Sequence, residues 1–279
     1  MGDLDGRTVL ITGANTGIGK ETAWALAARG AGVLLACRSP EKGRSAIDEI
    51  AAQTGNRRLE LLTLDLGDLA SVRACAQDVL ARDEPLSVLI NNAGLAGSRG
   101  MTSSGFELAF GTNHVGPFLL TSLLLDRLRE SAPARIVNVA SGAHHGATGI
   151  DFESVRQPTR TFTGMREYSV SKLANVLHAK DLARRLDGTG VTTYSLHPGV
   201  IASDIWRKVP RPARAVMKRR MDSPRDGART SVYCATAPEL ADETGLYYDA
   251  CAPTQPGRAV TASLAEELWE RSAAWVAAG

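Results

Sequence analysis

The sequence predicts an α/β fold: one domain, with a doubly wound, parallel, seven-stranded sheet and helices on both faces. Three observations carry that prediction. Short apolar runs alternate with stretches of helical composition along the whole chain. A glycine cluster follows the first run directly. No proline- or serine-rich linker, repeat or low-complexity tract interrupts the alternation, so all 279 residues read as one domain.

The elements follow in order. Residues 8–12 (Thr-Val-Leu-Ile-Thr) are short and β-branched and run into Gly13, as a buried strand entering a turn does. Residues 18–29 are rich in Ala and Leu and stop at Gly30, which predicts a helix. A second buried strand is expected at 33–37 and a helix at 41–53, ending near Thr54 and Gly55. A third strand at 59–64 leads to a helix at 69–82, closed by Pro85. The fourth strand is 87–91, followed by a helix over 106–129 that Pro117 kinks or restarts. Strands at 134–140 and 191–196 flank a long helix at 168–186. A helix at 223–235, a seventh strand at 245–248 and an amphipathic helix at 264–277 complete the chain. Strands joined by helices in this way lie parallel, and the ligand belongs at their carboxyl ends.

Composition excludes several classes. Hydrophobic residues make up 44% and charged residues 22%, which rules out a disordered, collagen-like or disulfide-scaffold chain. The net charge of +2 does not call for nucleic acid as partner. Cys37, Cys75, Cys234 and Cys251 show no CxxC spacing and no paired histidines, so no metal site is expected. Scattered thiols fit a reducing compartment. No uninterrupted apolar run reaches the roughly 18 residues of a membrane span. Two acids, Asp3 and Asp5, precede the first apolar run, unlike a signal peptide. A soluble, cytoplasmic protein is expected.

The turn after the first strand reads Thr12-Gly13-Ala14-Asn15-Thr16-Gly17-Ile18-Gly19. Gly13 permits the tight turn, Gly17 lets the backbone approach a pyrophosphate, and Gly19 lets the helix pack on the sheet. The helix start then offers N–H groups and partial positive charge to phosphates. Such a turn between a strand and a helix is the nucleotide-binding corner of a Rossmann-type fold.

Tyr168 and Lys172 stand four apart on the long helix, so they share a face. A free phenol has a pKa of about 10, and a neighbouring ammonium lowers it toward a useful range. Ser141 ends the fifth strand, where its hydroxyl can hold a carbonyl oxygen and support charge on it. As a bland alternative, it caps the strand end.

The TGxxxGxG spacing resembles that of the short-chain dehydrogenase/reductase family. Asn91-Asn92-Ala93-Gly94 matches that family's NNAG segment, which lines the cofactor and steadies the sheet. Asn113, Ser141, Tyr168 and Lys172 occur in the order of its catalytic tetrad. The resemblance implies that Asn113 holds a water continuing a proton path from the lysine. It also implies that Asp65 contacts adenine beside Leu66, although Asp65 equally suits the carboxylate of a helix start. Pro198, Gly199 and Val200 follow the sixth strand, where the family turns past the nicotinamide. His197 reads as part of that turn.

An acid at the end of the second strand would bind ribose hydroxyls and repel a 2′-phosphate. Here Cys37 stands at that position and Arg38 follows, so NADP(H) is the expected cofactor. The alternative is a solvated arginine.

The stretches 12–22, 36–39, 112–116, 168–175 and 197–200 resemble the retinol dehydrogenase branch and its WW-domain oxidoreductase relatives. The gap from Ser141 to Tyr168 fits that branch's extra segment. The hydrophobic anchor and WW domain of those relatives are not expected in this chain. The branch implies reversible oxidoreduction of a small-molecule alcohol and a ketone or aldehyde. Alternatives are a pathway-specific reductase or epimerase in specialised biosynthesis, and a non-catalytic, NADP(H)-binding regulatory protein. The family's habit of forming dimers or tetramers points to the helices at 102–129 and 168–186, whose apolar faces equally suit a core.

A substrate lid is expected at about 200–225. It carries Arg207, Lys208, Arg211, Arg214, Lys218, Arg219 and Arg220 with no acid between 207 and 221. The run reads as a solvated helix face, or as a lure for an anionic substrate or membrane surface.

Overall fold

The computed structural model describes residues 2–200 and 222–278. Most of the expected lid and its seven cations lie outside the described residues.

The described residues form an eight-stranded sheet in the order β3-β2-β1-β4-β5-β6-β7-β8. Its strands are β1 (Thr8–Thr12), β2 (Gly32–Cys37), β3 (Leu59–Thr63), β4 (Leu86–Asn91), β5 (Ala134–Val139), β6 (Val191–His197), β7 (Leu246–Asp249) and β8 (Ala252–Pro253). The first seven are parallel, as expected. The two-residue β8 turns back antiparallel on β7, beyond what its sequence signals. The helices are α1 (Gly17–Ala28), α2 (Pro40–Thr54), α3 (Leu69–Leu80), α4 (Leu108–Glu130), α5 (Met165–Arg185), α6 (Pro224–Thr236) and α7 (Ala262–Ala277).

The strands are apolar along their length because both faces are covered. Every residue of β2 and β4 is buried. Alternate side chains feed two cores. Leu10, Leu34, Leu89 and Ile136 join the core with α3, α4, α5 and α7. Val9, Ile11, Val33, Leu35, Val88 and Val137 join the other, with α1, α2 and α6. Strand order reverses between β1 and β4, which opens a crevice at their carboxyl ends.

Local chemistry fixes the helix ends. Ser39 caps α2 ahead of Pro40, and Gly55 ends it at a φ of 71°. Ser223 and Asp226 form a reciprocal capping box at α6.

Pro117 does not break α4, and the restart expected there is a return from π to α geometry. The helix runs through a π turn at Gly111–Val115, and Pro117 sits in the first turn of the α segment beyond. By length and composition α4 is apolar enough to cross a membrane, because a helix tolerates polar residues that interrupt a run. It is also 72% buried within the fold, which accounts for that apolarity. Part of the cover is α7. Trp269 packs edge-on to Phe118 at 4.9 Å between ring centroids. Trp275 reaches Phe106 and Phe110, and the Arg185 guanidinium lies over Trp269.

Gly116 shows how closely α4 approaches the sheet. A Cβ there would stand 2.3 Å from the Leu66 carbonyl oxygen, which belongs to backbone. Gly116→Ala is therefore expected to lower stability by about 1–3 kcal/mol in urea unfolding, against the gain of up to about 1 kcal/mol that helix propensity alone gives.

Candidate active site

The glycine turn is held from behind by the end of β4. The Thr12 hydroxyl accepts the N–H groups of Asn92 and Ala93, each at 3.0 Å. The Asn92 amide donates to the Thr12 carbonyl at 2.8 Å. Gly13 has a φ of 67°, and a Cβ there would meet Ala93 Cα at 2.9 Å. A Cβ on Gly19 would lie 2.4 Å from the Asn92 amide nitrogen, so this glycine too serves close packing. Around Gly17 a Cβ would meet nothing within 4 Å, although φ is 57° there. The side chain of Thr16, at the N-cap of α1, makes no capping bond, and the first turn holds no acid. Asn15 and Ile18 are half-buried beside this cradle. An open glycine, uncapped N–H groups and the positive helix end suit a phosphate.

Asp65 does not cap α3. Asp68 does, accepting from Ala70 N at 3.0 Å. Asp65 instead accepts from Gly67 N at 2.9 Å and is half-buried after β3, with Leu66 buried beside it. Arg38 is exposed at the end of β2, and the Cys37 thiol turns back to the Ser39 carbonyl at 3.4 Å. Pro198 and Gly199 continue from β6, Gly199 at a φ of 93°, and Val200 is exposed.

The structure gathers the four expected catalytic residues. Ser141 follows β5 and starts the 3-10 turn Gly142–Gly146, where its Oγ accepts Ala143 N at 3.2 Å. Tyr168 and Lys172 are buried on one face of α5. The Lys172 ammonium donates to the Val139 carbonyl at 2.8 Å and lies 5.8 Å from the Tyr168 ring centroid. A Cβ on Gly94 would be 3.3 Å from Lys172 Nζ and 3.4 Å from Asn113 Oδ1, which places both beside the NNAG segment. Asn113 clamps that segment, accepting from Leu95 N at 2.9 Å and donating to Leu95 O at 3.0 Å. It also donates to the Ser171 hydroxyl at 2.9 Å.

Burial governs the protons. It pulls Lys172 down to about 7. It pushes the Tyr168 phenol above its ordinary value, with the Ser141 hydroxyl opposing. The expected lowering of the tyrosine by its lysine is therefore not the dominant effect here. The ammonium is tied to the Val139 carbonyl, and the phenol's shift is set by desolvation with only the Ser141 hydroxyl opposing. His197 is half-buried against Gly142, where burial holds it neutral, and it is the last residue of β6, opposite Asp249, with the expected turn beginning after it.

Three contributors escaped the sequence reading. Thr12 is a buried hydroxyl closing an apolar strand, and that position was its signal. The π turn is flagged by Gly111, Gly116 and Pro117. Asn175, one turn beyond Lys172, is a buried amide whose nitrogen, suitably oriented, donates to the Asn113 carbonyl at 2.7 Å. That carbonyl's donor in a regular helix would be residue 117, a proline without an N–H. Among the described residues no group of three His, Cys, Asp or Glu is placed to hold a metal ion.

A family model described as short chain dehydrogenase matches residues 7–213. Human retinol dehydrogenase 12 is 48% identical over 276 residues, which span 96% of this chain and 86% of that protein. Mouse retinol dehydrogenase 11 is 47% identical, spanning 89% of this chain and 79% of its own. Bovine dehydrogenase/reductase SDR family member 13 is 44% identical, spanning 98% and 74%. Among solved structures, an uncharacterized protein from Mycobacterium Paratuberculosis superposes with a TM-score of 0.79 at 33% identity, covering 99% of this chain and 96% of its own. Levodione reductase shares the fold at a TM-score of 0.72 and 21% identity, covering 88% of this chain and 95% of its own.

The position of Lys172 has a measurable cost. Its folded value lies below the unfolded one, so folding opposes the ammonium as pH falls from about 10.5 through about 7. Lys172→Met is expected to raise stability by about 1–3 kcal/mol at pH 6. The difference should shrink toward pH 10 in thermal unfolding.

Proposed function

The chain belongs to the short-chain dehydrogenase family, and from that premise we propose that it is an NADP(H)-dependent oxidoreductase interconverting an alcohol with a ketone or aldehyde. One observation carries the reading: Ser141, Tyr168, Lys172 and Asn113 come together beside the glycine turn, at the carboxyl ends of β4 and β5.

The cofactor site fits its group. The N–H groups of residues 15–19 would face the pyrophosphate, with Gly17 leaving room for its approach. Asp65 and Leu66 would flank the adenine side, and Asn92, Ala93 and Gly94 the ribose side. Pro198, Gly199 and Val200 would flank the nicotinamide. Arg38 is exposed and follows a neutral cysteine, which favours a 2′-phosphate over free ribose hydroxyls. When bound, the nicotinamide supplies the hydride.

The protein's own residues handle the oxygen. Ser141 Oγ accepts Ala143 N–H, and its own proton, which meets the Tyr168 phenol, would turn to the substrate oxygen lying between them. The Tyr168 phenol, held protonated by burial, donates to that oxygen during reduction and recovers the proton during oxidation. Lys172 is poised near neutrality, so it can pass a proton toward Tyr168 and hold a ribose hydroxyl. Asn113 fixes the loop beneath Lys172 and borders the path by which protons are resupplied.

The names of the relatives make a retinoid aldehyde a sensible first substrate, beside simpler aldehydes and ketones. Composition supports a cytoplasmic site of action.

The first test is NADPH oxidation with a carbonyl panel that includes retinal. Tyr168→Phe is expected to cut kcat by about 10²-fold or more while NADPH affinity changes little. Normal turnover by that variant refutes the mechanism. Silence of the wild type across the panel, with NADPH still bound, would favour a narrow pathway substrate or a regulatory role.

Arg38→Asp is expected to reverse the preference for NADPH over NADH, read as the ratio of kcat/KM values. An unchanged ratio would make Arg38 a bystander.

A further inference from the structure

His144 lies outside the four residues assigned above, yet it is fully buried three positions from Ser141. Its Nδ1 is 2.7 Å from the Ser141 carbonyl, which also accepts the His144 main-chain N–H at 3.1 Å. Its Nε2 accepts the N–H of Gly257 at 2.9 Å. These two bonds fix the tautomer: the proton is on Nδ1 and the lone pair on Nε2. Both ring nitrogens are therefore used, and they face opposite ways along the chain.

The surroundings leave the ring little freedom. It packs edge-on to Tyr247 of β7 at 4.7 Å and against His145 at 4.1 Å between centroids. Gly257 is buried, and a Cβ there would stand 3.2 Å from His144 Cδ2. Burial, with His145 and His197 nearby, keeps the imidazole neutral, as the bond from Gly257 requires.

We propose that His144 is a positioning residue for Ser141, tying the turn that orients the Ser141 hydroxyl to the backbone after β8. The direction of that hydroxyl depends on Ala143 N–H meeting Ser141 Oγ, and Ala143 lies inside the pinned turn. Without the tie, Gly142 and Gly146 leave the turn free to rotate. The Ser141 proton would then spend less time aimed at the substrate oxygen. This proposal rests on the reading of Ser141 as part of the catalytic group.

The test combines kinetics with amide hydrogen exchange. His144→Phe keeps an aromatic ring against Tyr247 and removes both bonds. It is expected to lower kcat at least about tenfold, with KM and NADPH affinity within about threefold. Amides of residues 142–147 and 256–260 should exchange faster in that variant. His144→Asn retains a donor at the Nδ1 position and should recover part of kcat. Gly257→Ala crowds the ring from the far side and should lower kcat in the same direction, and it replaces His144→Phe if that variant fails to fold. Unchanged kcat or unchanged exchange overturns the proposal. A wild type silent across the carbonyl panel removes the general carbonyl reaction on which the positioning role rests, even where residues 142–147 exchange faster in His144→Phe. A wild type that turns over normally beside an unaffected His144→Phe removes the positioning role alone.

Discussion

A buried ammonium held by one main-chain carbonyl sets the terms for the site. Lys172 Nζ donates to Val139 O at 2.8 Å, and this bond joins α5 to the end of β5. Removing a full charge from water is costly, so it is tolerated only where a good acceptor and firm packing compensate. Here the compensation is partial, and Lys172 is drawn down to about 7. A group that gains and loses its proton near neutrality suits the proposed reaction, in which the neighbouring phenol does the same. The burial that weakens the fold at this point is thus the feature on which the proposed chemistry rests. Tyr168 is buried by the same packing, one turn back on the helix.

Around that bond the chain spends its irregular backbone where function needs it. The π turn of α4 lets Asn113 leave regular helical bonding and clamp Leu95 with both ends of its amide. Proline at 117 withholds the N–H that a regular helix would offer the Asn113 carbonyl, and Asn175 stands ready to replace it. Gly116 lets the same helix touch the backbone at Leu66, immediately after Asp65. One stretch of α4 therefore braces both the loop at Leu95, beside Lys172, and the backbone that follows Asp65. A change in its register would be felt at both.

The fold was legible because two periodicities are plain in the sequence. Runs such as Val9-Leu10-Ile11 and Val33-Leu34-Leu35 lack alternation, which is the mark of strands buried on both faces, and the two cores take their side chains in turn. Ser141 was legible because it follows a strand, and Tyr168 and Lys172 because they share a helix face, whereas Asn113 was legible only through the family resemblance. What escaped depends on distant partners. His144 looks like half of a polar pair in a loop until Gly257, far along the chain, supplies the bond to its ring. Asp65 and Asp68 are equally good caps on paper, and only the backbone path decides between them. The phenol's proton affinity could not be judged from its neighbour four residues away, because burial is a property of the assembled core.

The apolar faces of α4 and α5 illustrate the same point at larger scale. In the sequence they suit a core or a partner equally well. In the folded chain α7 lies across them and supplies Trp269 and Trp275 to Phe118, Phe106 and Phe110. His114 and His178 are buried in this layer, His114 bonded to Ser272 of α7 at 2.9 Å. Their burial keeps both imidazoles neutral, with His178 pulled down to about 4. A second copy docking on the part of these faces that α7 covers would first have to lift that helix. That would expose two indoles and return two suppressed histidines to water. The hydrophobicity of these helices is therefore explained within one chain, and it gives no reason to invoke a partner there.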